Sequence, residues 1–265
     1  MSAHTIAGTV QVLEQIQRPD IQGARDILVY LPPGYDQSQA RYPVLYMHDG
    51  QNLFDQATSF GDEWQVDETM EQLSRAGYPA IVVGLPNQGT ARLAEYSPFP
   101  DAKYGGGQGQ AYLAFLVETL KPQIDQTFRT LPDRLHTGMM GSSMGGLISL
   151  YALFRFPSVF GGAGVMSPSL WFGQGAVIDF ISEARPPRAR LYLDVGTHEG
   201  VATLRDVRRL ARLLVRKGFK RDKRRERRAV SRAAQRLRYA EDPDGRHAEW
   251  DWARRLEGAL EFLVR

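Results

Sequence analysis

The sequence predicts a mixed α/β fold, a mostly parallel sheet with helices on both faces. Short runs rich in β-branched and aromatic residues alternate with stretches of helical periodicity, the pattern of strands joined by crossover helices. The chain has 265 residues, 43% hydrophobic and 24% charged, enough to bury a sizeable core. No repeat, Pro-rich linker or low-complexity tract divides it, so one domain over residues 1–265 is expected. The first two strand-like runs, at 9–15 and 26–31, are separated only by a polar loop and should pair as an antiparallel hairpin at the sheet edge. Further strand-like runs follow at 44–48, 81–85, 135–141, 164–166 and 191–195. Helical periodicity falls between most of them, at 64–75, 111–128, 144–155, 177–184 and 201–217. In such sheets ligands bind beyond the carboxyl ends of the strands, so functional residues are sought there.

Composition narrows the chemistry. With Cys at 0, disulfides, thiolate nucleophiles and sulfur-ligated metals are excluded. No apolar run approaches the roughly 18 residues needed to span a bilayer, so no membrane association is expected. The opening MSAHTIAGTV lacks a basic and an apolar signal region, which predicts a cytoplasmic chain. The net charge of +3 is unevenly distributed: residues 201–240 hold sixteen Lys and Arg against three Asp and Glu, while the other 225 hold seventeen against twenty-seven. A like-charged block of this kind reads first as a solvated face and second as a surface for a polyanion such as nucleic acid.

The most informative segment is Gly141-Ser142-Ser143-Met144-Gly145-Gly146, between a strand-like run and an amphipathic stretch. Gly-x-Ser-x-Gly in that setting is a nucleophile elbow. The turn is too tight for bulky flanking side chains, and it holds the serine at the positive end of the following helix. Ser143 is the candidate nucleophile. A serine hydroxyl needs a base, and the chain has 5 histidines. His4 is terminal, His136 begins the elbow strand at its far end, His48 ends an earlier strand and His198 follows the 191–195 run. The order nucleophile, acid, histidine along the chain selects the last, His247, in a polar loop before the final helix. The acid should leave a strand tip between them. Glu199 lies just past Leu191-Tyr-Leu-Asp-Val-Gly196, with Asp194 inside that strand as its rival. Two backbone N–H groups should bind the oxyanion: Met144, after the nucleophile, and Gln51, in the turn Asp49-Gly50-Gln51 after the 44–48 run.

These segments resemble the putative-esterase family of α/β-hydrolases, which includes enterochelin, feruloyl and acetylxylan esterases, S-formylglutathione hydrolase and mycolyltransferases. The resemblance rests on YPVLYMHDGQNLFD, EWQVDE, AIVVGLPN with RLAEYSPF, MMGSSMGGLISLYALFRFP, VMSPSLWF, LYLDVGTHE and GRHAEWDWARRLEGALEFL, from about residue 26 onward. It implies an α/β-hydrolase fold, with Ser143, Glu199 and His247 at the triad positions and Gln51 and Met144 as oxyanion donors. The chain departs from the family at a basic insertion at about 219–238, where the usual connection is much shorter.

Other signals are weaker. Gly105-Gly-Gly-Gln-Gly109 follows a polar stretch rather than a strand and reads as a flexible loop, not a phosphate cradle. No HExxH or clustered metal-ligand pattern occurs, so neither a metal nor a cofactor is expected. Trp64, Trp171 and Phe172 stand near loops at the catalytic face and are candidates for an acyl or aryl pocket, with core packing the competing role. The expected function is carboxylic-ester hydrolysis of a small-molecule substrate through an acyl-enzyme. Acyl transfer and thioester hydrolysis are alternatives on the same residues, and polyanion binding through Lys220 to Arg238 is the alternative from a different class. Oligomeric state is not legible.

Overall fold

The computed structural model describes residues 4–17, 23–222 and 234–265. Along the chain it forms β1 (Thr9–Ile16), β2 (Arg25–Leu31), β3 (Val44–His48), α1 (Val66–Arg75), β4 (Ile81–Leu85) and α2 (Arg92–Glu95). A short pair, β5 (Pro100–Asp101) and β6 (Gly105–Gly106), precedes α3 (Gly109–Phe115) and α4 (Lys121–Thr127). Then come β7 (Thr137–Ser142), α5 (Met144–Arg155), β8 (Gly162–Met166), α6 (Ala176–Glu183), β9 (Arg190–Gly196), α7 (Val201–Arg216), β10 (Lys220–Arg221), β11 (Arg236–Asp242) and α8 (Glu249–Val264).

Among the described residues, one sheet has the order β1-β2-β4-β3-β7-β8-β9-β11-β10. β1 pairs with β2 and β2 with β4 antiparallel, and the pairings from β4 through β3, β7, β8, β9, β11 and β10 are parallel. The hairpin expected at the edge is there, and the rest is the parallel α/β-hydrolase sheet. The strand alternation sorts side chains to the two faces. From β3, Val44 and Tyr46 enter one apolar core, and Leu45 and Met47 the other. The first core takes its cover from α3, α5, α6 and α7, the second from α1 and α8. Each fully buried side chain of this size contributes about 1.5–3 kcal/mol.

One expectation needs correction. The stretch 111–128 is not one α-helix: a π-helical turn, Leu116–Leu120, separates α3 from α4. Pro122 lacks the N–H that would bond the carbonyl one turn back, so the ladder shifts there. The described ends of the basic insertion expected at about 219–238 are part of the sheet and core. Phe219 and Leu237 are core residues, and Lys220–Arg221 pairs in parallel with β11. Arg238 is tied to Asp222 at 2.8 Å. Residues 223–233 of that segment lie outside the described residues. No helix among the described residues is long and apolar enough to cross a membrane.

Because β3, β7, β8, β9 and β11 run parallel, their carboxyl ends share one edge of the sheet. The loops leaving that edge carry Gln51, Ser143, Ser167, Glu199 and His247.

Candidate active site

Ser143 sits between the end of β7 and the first residue of α5 with φ 56° and ψ −119°, a left-handed-side conformation that a serine rarely adopts. The flanking glycines permit it. A Cβ on Gly141 would meet Gly145 backbone at 2.9 Å and the His48 ring at 3.0 Å, and one on Gly145 would meet His48 Cβ at 3.1 Å. The elbow is held by the Ser143 N–H to the Met166 carbonyl (3.0 Å) and by the Leu147 and Ser169 N–H groups to the Ser143 carbonyl (both 3.0 Å). His48 is packing, not chemistry: burial pushes its pKa down to about 3, and its Nδ1 lies 2.8 Å from the Tyr112 hydroxyl.

The loop after β11 brings His247 over Ser143, with Nε2 2.9 Å from Ser143 Oγ and Nδ1 2.7 Å from Glu199 Oε2. The His247 side chain is 42% exposed and that of Glu199 only 1%. Burial pushes the Glu199 carboxyl up, but hydrogen bonds from His247, Ser167 and the Gly196 N–H outweigh it and hold the group below its ordinary range. Asp194, the rival acid, does not touch His247. It accepts from the Tyr192 hydroxyl (3.0 Å) and the Ser167 N–H (3.2 Å), and lies 3.4 Å from Arg255 Nε. Burial raises its pKa to about 6.

Gln51 and Ser143 line one cleft of about 690 Å³. Met144 opens α5, so its N–H has no acceptor within the helix. The turn carrying Gln51 is pressed against β4, where a Cβ on Gly50 would meet Gly84 backbone at 2.6 Å. Arg92 grips Asp49 of the same turn in a two-point ion pair (2.7 and 2.8 Å), and Asn87 bonds both Asp49 and the Gln51 side chain. The cleft wall also includes Phe60, Trp64, Glu249 and Trp252. Burial raises the pKa of Glu249.

Of the three aromatic candidates for the pocket, Trp64 lines this cleft and packs against Trp252, ring centroids 5.9 Å apart and tilted at 46°. Trp171 and Phe172 do not. Phe172 is 2% exposed in the core, and Trp171 lines a separate groove with Arg205 and Arg209. Sequence reasoning missed Asp49, Arg92, Ser167, Ser169, Trp252 and Arg255. They lie in the segments HDGQ and SPS, which follow strand ends, and RLAEY and WDWARR, which lie in α2 and α8.

Among the described residues, one acidic group has ligand atoms within 4.8 Å of one another, Glu63, Asp67 and Glu68 at the start of α1. None of the three lines the cleft. Burial, reinforced by Glu68, pushes the Asp67 carboxyl well above its ordinary range.

Comparison with known proteins adds to this geometry. The profile of the family described as Putative esterase matches residues 19–263. Uncharacterized protein YbbA of Bacillus subtilis (strain 168) is 30% identical over 184 residues, 67% of this chain and 70% of that protein. The endo-1,4-beta-xylanase/feruloyl esterase of Xylanibacter ruminicola is 30% identical over 177 residues, 63% of this chain but only 22% of that longer protein. The crystal structure of BES protein from Bacillus cereus superposes over 100% of this chain and 98% of that one, with a TM-score of 0.74 at 21% identity, a likeness of fold.

Proposed function

The chain belongs to the putative esterase family and is a serine carboxylic-ester hydrolase, and from that premise we propose that it works through an acyl-enzyme on a triad of Ser143, His247 and Glu199. The observation that carries this reading is the continuous contact of Ser143 Oγ with His247 Nε2 at 2.9 Å and of His247 Nδ1 with Glu199 Oε2 at 2.7 Å. An ionised Glu199 can only accept, so His247 carries its proton on Nδ1 and offers Nε2 as the base. Ser143 attacks the ester carbonyl as His247 takes its proton, and Glu199 stabilises the imidazolium that forms. The carbonyl oxygen becomes an oxyanion between the Gln51 and Met144 N–H groups, aided by the positive end of α5. His247 then protonates the departing alcohol and activates water to release the acid.

The substrate is a small-molecule ester. Phe60, Trp64 and Trp252 give the cleft an apolar, aromatic wall beside the polar Asp49, Asn87 and Arg92, which suits an ester with an aryl or flat apolar portion. The relative named as a feruloyl esterase fits the same description.

The test is turnover of a p-nitrophenyl ester together with labelling by a fluorophosphonate. Ser143→Ala should abolish labelling and lower kcat on the order of 10⁶-fold while the fold is retained. His198→Ala, which alters an exposed histidine beside Glu199 in sequence, should leave turnover unchanged. Labelling that persists in Ser143→Ala would remove Ser143 from the nucleophile's role.

A further inference from the structure

The segment Ser167-Pro168-Ser169, which follows β8, touches two residues of the proposed triad, one at each end. Ser169 Oγ lies 3.1 Å from Ser143 Oγ, and Ser167 Oγ lies 2.5 Å from Glu199 Oε1. Both serines are buried, at 4% and 0% exposure. Ser167 also has φ 42°, a conformation unusual for a residue with a side chain. Its N–H is held there by the carbonyl and carboxylate of Asp194, at 3.1 and 3.2 Å.

The direction of every hydrogen bond in this chain follows from the chemistry of the partners. Trp252 Nε1 and Arg255 Nη2 both approach Ser167 Oγ, at 3.0 and 2.9 Å. Indole and guanidinium nitrogens can only donate, so they occupy both lone pairs of the hydroxyl. The one proton of Ser167 is thereby directed to Glu199 Oε1, which also accepts the Gly196 N–H at 2.7 Å. Glu199 Oε2 is left for His247 Nδ1–H. His247 Nε2 must then accept, and the proton of Ser143 goes to it. Ser143 has no second proton, so in its contact with Ser169 the donor is Ser169.

We propose that the Ser167-Pro168-Ser169 turn is part of the catalytic device: Ser167 is a positioning residue that holds Glu199 through an obligate donated hydrogen bond, and Ser169 is a catalytic residue that donates a hydrogen bond to the Ser143 oxygen. The inference rests on the triad reading above. Trp252 and Arg255 set the polarity of the whole chain from its far end, and Asp194 anchors the backbone of Ser167. This accounts for the buried Asp194 and Arg255, which stand beside the site without touching its reacting atoms. As the proton leaves Ser143 for His247, negative charge gathers on Oγ, and a hydroxyl donor aimed at that atom strengthens its interaction during the step.

Ser167→Ala, Ser167→Cys and Ser169→Ala test this, with Ser143→Ala and His247→Ala measured alongside. A hydrogen bond to a charged or charging group predicts that Ser169→Ala slows fluorophosphonate labelling and lowers kcat about ten- to a hundredfold, with KM within about twofold. Ser167→Ala should lower kcat by a similar factor, again with little change in KM, and should broaden the low-field proton resonance of His247 Nδ1. Ser167→Cys keeps a weaker donor of similar shape and should fall between wild type and Ser167→Ala, and it carries the test if the alanine variant does not fold. If the Ser143 and His247 variants are inactive while the Ser167 and Ser169 variants match wild type in kcat, labelling rate and resonance, the triad stands and this inference is overturned. If the Ser143 and His247 variants stay active, both readings fall together.

Discussion

Replacing Glu199 by glutamine removes a charge and exchanges one acceptor for a donor without changing shape. The surroundings decide which way the new amide turns. The Oε1 position faces the Gly196 N–H at 2.7 Å and the Ser167 hydroxyl at 2.5 Å, both donors, so the amide oxygen must occupy it. The amide NH₂ then faces His247 Nδ1, which stands 2.7 Å from Oε2 in the native chain. Two donors cannot share that contact. The imidazole moves its proton to Nε2, and the atom that should accept from Ser143 becomes a donor. A triad locked in the wrong tautomer loses about 10⁴-fold in turnover, equivalent to about 5 kcal/mol of transition-state stabilisation. Asp194→Asn is the comparison, because Asp194 contacts Tyr192, Ser167 N–H and Arg255 but not His247. It should cost far less. The assay is kcat/KM on a p-nitrophenyl ester, with circular dichroism and thermal melting to establish that each variant is folded. Turnover by Glu199→Gln within tenfold of wild type, or a larger loss from Asp194→Asn in folded protein, would refute the assignment of the acid.

Two further predictions concern stability. Burial and Glu68 push Asp67 up to about 8, against an ordinary value of 3.8, so between those values the folded chain holds a proton that the unfolded chain releases. Stability should therefore fall as pH rises from about 4 to 8, and Asp67→Asn should flatten that slope in thermal melts; parallel curves for the two proteins would contradict it. Arg25 and Glu95, each 2% exposed, form a two-point ion pair at 2.7 and 3.2 Å with the guanidinium over the Tyr112 and Phe115 rings. Glu95→Ala strands a buried cation and should cost about 3–5 kcal/mol in urea unfolding, whereas Arg25→Met combined with Glu95→Leu should cost less; equal losses would argue that the pair is not the source of the penalty.

What the sequence by itself determined is whatever local chemistry encodes. The alternation of strand and helix patterns specified the α/β class, and β3, β4 and β9 lie within a residue of the runs read from composition. The elbow was legible because its turn demands small residues at fixed spacing around Ser143, a constraint written within six consecutive positions. The candidate base and acid emerged from chain order and elimination among few histidines, with Glu199 favoured over Asp194 because it lies just past the strand end rather than inside it. What sequence could not give is the contact itself: the two lie five positions apart, and which carboxylate reaches His247 depends on the loop after β11, almost fifty residues later. The three aromatic pocket candidates divide for the same reason. Trp64, Trp171 and Phe172 look alike as apolar residues near loops, and only packing shows that Trp64 borders the cleft with Ser143 while Phe172 is buried and Trp171 borders a separate groove. The Ser167-Trp252-Arg255 cluster was equally invisible, because it exists only where α8 packs one turn of its surface against the end of β8. Local pattern reports backbone preference and turn sterics, whereas hydrogen-bond direction and side-chain convergence arise from packing between segments distant in sequence.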